Sequence, residues 1–467
     1  MKKINLFILN FLFLSSLICQ NDSLSLQLDT FILNEMTSNN ILGLSACIVK
    51  GDQIVWKKAY GKANLSTNEN VTLQTQFTLA SISKLFTATA VAQLWQDNLL
   101  DIDADINNYL PINIENPNFP GTSITTRQLL THKSSLKDSE TDLQLWDAPG
   151  DPIYDLETFC AEYFVNGGSL YDASNFSNTA PGSSSYWYSN AGYTLLGYII
   201  QEVSGEQFNT YCANNIFNKL NMPTAGWFYA ETDSNNLAMP YNSAFQAYGY
   251  YSVPEYPAAM LKSNIIELSN FLIAYTQKGI FNQVELVNDI TFASLVPNNM
   301  NNGFAWWGSD TWYGDATGNY WSHGGFMNGV RTQLNYYPTD SNGLIILTNG
   351  EGSYTNIQNK MESFIPLFEK EKEEEEEEPQ PNSIINLELK FKIFPNPVKG
   401  KKIVNIETPK QDEVYKIEIL NLNTKKVENI TMLKNNSRLN LSNYSTGLYF
   451  LKFYTTEKTI YKKIVVQ

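Results

Sequence analysis

A chain of 467 residues with 43% hydrophobic and 13% aromatic content is long enough for two folded units and apolar enough for a sizeable core, which excludes a disordered or fibrous protein. The net charge of −15 is unevenly spread: residues 1–368 carry 15 basic against 32 acidic side chains, residues 369–382 carry 2 against 8, and residues 383–467 carry 15 against 7. An acidic main part argues against nucleic acid as a partner. The basic tail reads as a separate module.

The chain opens with Met1-Lys2-Lys3 and an apolar stretch from Ile4 to Ile18. This pattern predicts a secretory signal peptide over residues 1–19, too short and too abruptly followed by polar residues for a membrane span. Ile18 is too bulky for lipoprotein processing at Cys19, so ordinary cleavage near Cys19–Gln20 is expected. No second apolar run approaches ~20 residues, so no transmembrane anchor is expected. With Cys19 removed, Cys47, Cys160 and Cys212 remain, which allows at most one disulfide. Cys160–Cys212 is the pairing to test, against the favoured reading of three unpaired core cysteines.

A helix is predicted near Leu26–Ser38, followed by strands at Leu42–Lys50 and Gln53–Tyr60 joined through Gly51-Asp52, a hairpin signal. Ser81 to Asp97 reads as a helix apolar almost all round, which belongs inside a protein. Further helices are predicted over Tyr193–Val203 and Ile265–Gln277, then strands at Thr332–Tyr337 and Leu344–Asn349. Strands at both ends of a helix-rich middle predict an α/β (α+β) domain over residues 20–368, its sheet completed by both ends. Six consecutive glutamates and Pro379-Gln380-Pro381 make residues 369–382 a solvated linker. Residues 383–467 alternate apolar and polar positions in short runs, the pattern of a small all-β sandwich.

Histidine is scarce, with only His132 and His323, and the cysteines lack ligand spacing, so no metal and no cofactor are expected. That scarcity turns attention to a nucleophile activated without histidine. In Ser81-Ile82-Ser83-Lys84, positions i and i+3 share a helical face, so the hydroxyl and the amine can meet. A helix start at Ser81 offers free N–H groups, and an amine desolvated by apolar neighbours can stay neutral and take a proton. Taken alone, this spacing also fits a capped helix with a solvated lysine. Tyr188-Ser189-Asn190 sets a phenol and an amide together before a helix, though it also fits an aromatic-rich turn. His323-Gly324-Gly325 opens a strand along which a substrate backbone can lie close, or it is simply a tight turn. The three in this order count for more than each alone.

Phe77 to Ala88, Leu129-Leu130-Thr131-His132, Tyr188-Ser189-Asn190, His323-Gly324-Gly325 and the closing strand Leu344–Asn349 together resemble the serine β-lactamase and penicillin-binding-protein family, in its class C, D-Ala-D-Ala carboxypeptidase and esterase branch. The resemblance covers residues 24–367. It implies a β-lactamase/transpeptidase-like fold, an antiparallel sheet flanked by helices with a helical subdomain. It further implies Ser81 as nucleophile, Lys84 as general base or proton shuttle, and Tyr188 as the second proton-transfer group. Asn190 and His323 would bind substrate, His323 at the place where relatives carry Lys or His. Gly325 would admit the substrate backbone, and the N–H groups of Ser81 and Phe326 would form the oxyanion hole. Which of Lys84 and Tyr188 is the base stays open, because their protons are coupled.

Three departures stand out. Ser135 replaces a family glycine, Ala258-Ala259 replaces Gly-Gly, and His323 lacks the Lys-Thr pair that binds a substrate carboxylate. The last favours an ester or D-amino-acid amide over a β-lactam as small-molecule or peptide substrate. Arg331 is a candidate for an anionic substrate end, with a structural arginine the alternative, and His132 reads as a structural loop residue. The tail, with Phe394-Pro395-Asn396-Pro397, Gly447-Leu448-Tyr449-Phe450 and Lys462 to Val466, resembles the C-terminal sorting domain of type IX secretion. This implies the type IX machinery as partner and a secreted or cell-surface location on a Gram-negative cell. The competing functional classes are a catalytically inactive module that binds cell wall or another polymer, and a matrix component.

Overall fold

The computed structural model describes residues 23–139, 148–297, 303–308 and 320–368, and in the tail 392–394, 402–407, 414–420, 426–431, 437–455 and 459–466. The expected signal peptide 1–19 and the linker 369–382 lie outside the described residues.

The chain begins with helix α1 (residues 23–38), then strands β1 (Gly43–Lys50), β2 (Gln53–Asn64) and β3 (Glu69–Asn70). Gly51, at φ +58°, makes the turn between β1 and β2. Helices α2 (Ser83–Gln96), α3 (Asn190–Ser204) and α4 (Ile265–Thr276) follow. Strands β4 (Trp307–Gly308), β5 (Trp321–Met327), β6 (Val330–Tyr337) and β7 (Asn342–Thr348) and helix α5 (Thr355–Phe364) close the unit. The sheet is antiparallel in the order β4-β5-β6-β7-β1-β2-β3. Its centre joins the first strand to the last, Cys47 facing Ile345 and Ala46 facing Ile346. The expectation that both ends of the domain complete one sheet holds.

Side chains alternate across a strand, so a strand covered on both faces is apolar at nearly every position. Strand β1 is such a strand. Leu44, Ala46 and Ile48 pack with Leu28, Ile32, Met361 and Phe364 from α1 and α5, whereas Cys47 and Val49 join the core formed by α2, α3 and α4. Helix α2 is buried from Ser83 to Leu94, as its all-round apolar sequence predicts. Phe86 on α2 stacks on Phe271 of α4 with ring centroids 4.0 Å apart. Phe86→Ala is expected to cost about 3–5 kcal/mol, measured as a lowered midpoint in urea unfolding with the slope unchanged.

Cys47, Cys160 and Cys212 are free and buried, so the Cys160–Cys212 pairing is not formed and the reading as core cysteines stands. Burial pushes all three thiols up, Cys47 to about 12. Among the described residues, no helix is long and apolar enough to cross a membrane.

The tail is a second unit, from residue 373 onward. Lys392–Phe394, Ile403–Glu407 and Ser437–Asn440 form one sheet, and Lys426–Thr431, Val414–Leu420, Gly447–Thr455 and Thr459–Val466 form another. Val404, Ile406, Ile417, Ile419, Leu451 and Ile464 are buried together, as alternating strands of a sandwich require.

Candidate active site

Ser81 lies in a 3-10 turn, Ala80–Ile82, leading into α2. The α-helix proper begins two residues later than expected, at Ser83. Ala80 is at φ +49°, a left-handed conformation that costs a residue bearing a Cβ on the order of 1–3 kcal/mol and persists only where its surroundings enforce it. Here they do. Leu79 N–H donates to Leu261 O at 2.8 Å, Thr332 Oγ1 donates to Leu79 O at 2.7 Å, and Leu261 N–H donates to Ser83 Oγ at 3.0 Å.

The spacing of Ser81 and Lys84 does bring them together. Lys84 Nζ donates to Ser81 Oγ at 3.3 Å, to Asn190 Oδ1 at 2.6 Å and to Ala258 O at 2.9 Å. The ammonium is fully buried and lies 4.8 Å from the centre of the Tyr188 ring. Desolvation holds Lys84 down to about 7, against the upward pull of Asp138 and Glu255. A substantial neutral fraction therefore exists at neutral pH. Tyr188 O–H donates to Ser81 Oγ at 2.9 Å, so the Ser81 hydroxyl has two hydrogen-bond partners whose groups can exchange a proton.

Tyr188 precedes α3. Ser189 caps that helix through Gly192 N–H, at 2.9 Å, and Asn190 is its first residue. The His132 ring stacks on Tyr188 with centroids 4.6 Å apart, and its Nδ1 accepts from Ser189 N–H at 3.1 Å. Trp307 lies parallel to His132 on β4, at 6.1 Å. His132 is thus a loop residue that sets the Tyr188 ring, and burial holds its pKa well below the ordinary histidine value.

His323, Gly325 and Phe326 lie on β5, where alternation buries His323 and Gly325 and exposes Gly324 and Phe326. Gly325 faces the serine turn: a Cβ there meets Thr332 Oγ1, Leu79 O and Ala80 Cβ. Strand β4 pairs only with Trp321 and Ser322, so the edge from His323 onward is covered by no described strand. His323 Nδ1 lies 2.8 Å from Gly324 O, an acceptor only, which makes Nδ1 the protonated nitrogen. Its Nε2 is buried without a hydrogen-bond partner among the described residues. Desolvation and the nearby Lys84 hold His323 down to about 3, so it is a neutral ring. Arg331 Nη1 donates to Met327 O at 2.6 Å and Val330 O at 2.7 Å, and its guanidinium stacks 3.3 Å from the Phe326 ring centre. These contacts are those of the structural alternative for that arginine.

Sequence reasoning missed Asp138. Its Oδ2 accepts from Asn190 N–H at 2.9 Å and Asn190 Nδ2 at 2.8 Å, and its Oδ1 accepts from Ala191 N–H at 3.0 Å and Ser189 Oγ at 3.1 Å. Burial pushes this carboxyl up, opposed by those donors and by Lys84. It is one of several acids in its stretch of chain, and only the fold brings it to the start of α3. The Ala258 carbonyl was missed as well, because a backbone acceptor leaves no trace in residue identity. The Ser135 departure keeps a glycine-like backbone at φ +65°, and its Oγ accepts from Asn116 Nδ2 at 2.9 Å. Among the described residues no cluster of His, Cys, Asp and Glu is placed to hold a metal ion.

An antiparallel sheet with helices on both faces, carrying a Ser-x-x-Lys turn, a Tyr-x-Asn helix start and a glycine-bearing edge strand, defines a protein of the β-lactamase and transpeptidase fold. Residues 28–360 match the Beta-lactamase family and residues 392–467 match the Secretion system C-terminal sorting domain. The chain belongs to the Beta-lactamase family, and its sorting domain marks it for secretion or the cell surface. Beta-lactamase-like protein 1 of Dictyostelium discoideum is 27% identical over 427 residues, 68% of this chain and 65% of that protein; the chain thus spans less than two thirds of that relative's length. The penicillin-binding protein from Bacillus halodurans superimposes with a TM-score of 0.58 at 23% identity, over 71% of this chain and 98% of that one. EstCE1, a hydrolase with promiscuous acyltransferase activity, gives 0.58 at 18% identity, over 75% and 98%. At such identities the two structures are alike in fold.

Proposed function

We propose that the protein hydrolyses an ester or a D-amino-acid amide through an acyl-Ser81 intermediate. The observation that carries the reading is Ser81 Oγ within hydrogen-bond reach of both Tyr188 O–H and a fully buried Lys84 amine. Neutral Lys84 takes the serine proton as Oγ attacks the carbonyl carbon. Tyr188 passes a proton to the leaving alcohol or amine as its bond to the carbonyl breaks, and water then hydrolyses the acyl-enzyme by the reverse relay. The N–H groups of Ser81 and Phe326 receive the oxyanion, an arrangement in which each donor is typically worth about 3–4 kcal/mol. Asn190 and His323 flank the substrate, whereas Gly325, where a Cβ would meet Thr332, Leu79 and Ala80, serves to let β5 pack against the turn that carries Ser81 and not to admit a substrate backbone. The neutral His323 favours a substrate without a free carboxylate at that point. The likeness to EstCE1 supports an acyl-enzyme able to transfer its acyl group.

The test is to react the full chain with a fluorophosphonate and with a fluorescent penicillin, and to map the adduct by mass spectrometry. An adduct on Ser81 is expected, with the fluorophosphonate reacting faster. No adduct from either reagent on folded protein shifts the reading to an inactive surface module.

A further inference from the structure

We propose that Asp138 is a positioning residue: through the Asn190 amide it aims and electrostatically holds Lys84, and so sets the proton affinity of the base that activates Ser81. This rests on the reading of Ser81 as nucleophile.

The argument starts from what each group can donate. Lysine has only donors and a carboxylate only acceptors. Asn190 lies between the two, and each side fixes the orientation of its amide. Lys84 Nζ requires Oδ1, at 2.6 Å, and Asp138 Oδ2 requires Nδ2, at 2.8 Å. The result is a continuous chain from carboxylate through amide to ammonium to Ser81 Oγ. Four donors face Asp138, two of them backbone N–H groups of the first turn of α3; together with Lys84 they oppose the burial that pushes this carboxyl up. Its backbone partners tie it to the helix that carries Asn190, so amide and charge are fixed as one unit. Asn190 uses both ends of its amide within this chain, so its role toward substrate depends on Asp138 keeping it turned this way.

The other groups facing Lys84 do not substitute for that charge. His132 and His323 are held neutral by burial, and Tyr188 and Tyr193 offer ring faces. Glu255 acts in the same direction as Asp138 but draws on Lys84 less strongly.

The experiment is the pH profile of kcat and KM for an activated ester, on both sides of about 7, for the full chain and for Asp138→Asn. Removing the carboxylate removes an attraction that favours protonated Lys84. The limb belonging to Lys84 is therefore expected to move to lower pH by about one unit or more. A less basic, less well-aimed amine is expected to lower kcat about tenfold or more at the plateau, with KM nearly unchanged. A purely structural Asp138 predicts the opposite pattern: a lower melting temperature with the limb where it was, and that result overturns the proposal. Should Asp138→Asn fail to fold, the smaller Asp138→Ser leaves room for added formate. The limb is then expected to shift down and to return with formate, and a limb indifferent to both overturns the proposal. A wild-type chain that forms no Ser81 adduct defeats the nucleophile assignment. A labelled Ser81 with an unmoved limb defeats only the role given to Asp138.

Discussion

Lys84→Met is expected to lower kcat/KM for an activated ester by about a hundred- to ten-thousand-fold, the range a positioned general base contributes. Methionine fills similar space with an apolar chain, so the variant should fold, and the activity loss should fall in kcat. The wild-type pH profile carries the sign. A base that must be neutral gives activity that rises with pH through about 7, where desolvation holds Lys84, and the limb should vanish in the variant. A profile that falls through that pH instead would assign the base to Tyr188, with Lys84 required as the cation. Stability provides an independent readout. Lys84 and Lys262 are both held near 7, against an ordinary value of 10.5. Between those limits the unfolded chain binds protons the folded one lacks, so stability rises with pH across the window and is lost as pH falls toward 7, by up to about 1.4 kcal/mol per pH unit for each lysine. Lys84→Met should remove one of the two contributions, which thermal melts at a series of pH values would show as a shallower slope.

How far the site was legible depends on which interactions residue identity encodes. The meeting of Ser81 and Lys84 is local, three residues apart, and could be read directly, although the turn that holds Ser81 is 3-10. Tyr188 and His323 were found by motif, since nothing in their neighbourhood specifies that α3 and β5 converge on one serine. Asp138 escaped because half of its partners are backbone N–H groups, which any sequence supplies, and the other half, on Ser189 and Asn190, lie some fifty residues away in the chain. The doubly covered strand β1 was legible as a run from Leu44 to Val49 apolar everywhere but at Ser45, and α2 as a helix without a polar face. Among the aromatic side chains, Trp227 and Tyr256 are buried. Trp187 and Tyr248 are exposed, and composition cannot separate the two sets. Ser135 and Ala258 looked like losses because glycine suggests backbone freedom. Yet Ser135 holds the left-handed backbone with a hydrogen bond, and Ala258 contributes its carbonyl, for which the side chain is irrelevant.

Gly325→Ala is expected to reduce kcat/KM about a hundredfold without removing any group that takes part in the chemistry. A single methyl at this position enters the space where Thr332 Oγ1 donates to the Leu79 carbonyl, and lies 2.9 Å from Ala80 Cβ. Neither neighbour can give way independently. Thr332 is fixed in the centre of the sheet, paired across to Gly325 and Leu347, and Leu79 is anchored on its other side by Leu261. The strain falls on the left-handed Ala80 and the turn that carries Ser81. A displacement of about 1 Å there is enough for a hundredfold loss, because attack depends on the alignment of Oγ with the carbonyl and with the N–H groups of Ser81 and Phe326. Overpacking should also lower stability by about 1–3 kcal/mol, which a melting curve would record. Gly324→Ala is the comparison. Its Cβ points to the other face of β5, where the nearest atom is Gln333 Oε1 at 3.1 Å, the end of a flexible side chain, so its loss should be the smaller. Equal losses in both variants would mean that the strand edge, not the serine turn, is what a side chain disturbs. Full activity in Gly325→Ala would show that the close packing of β5 against Leu79 and Ala80 does not hold Ser81 in place.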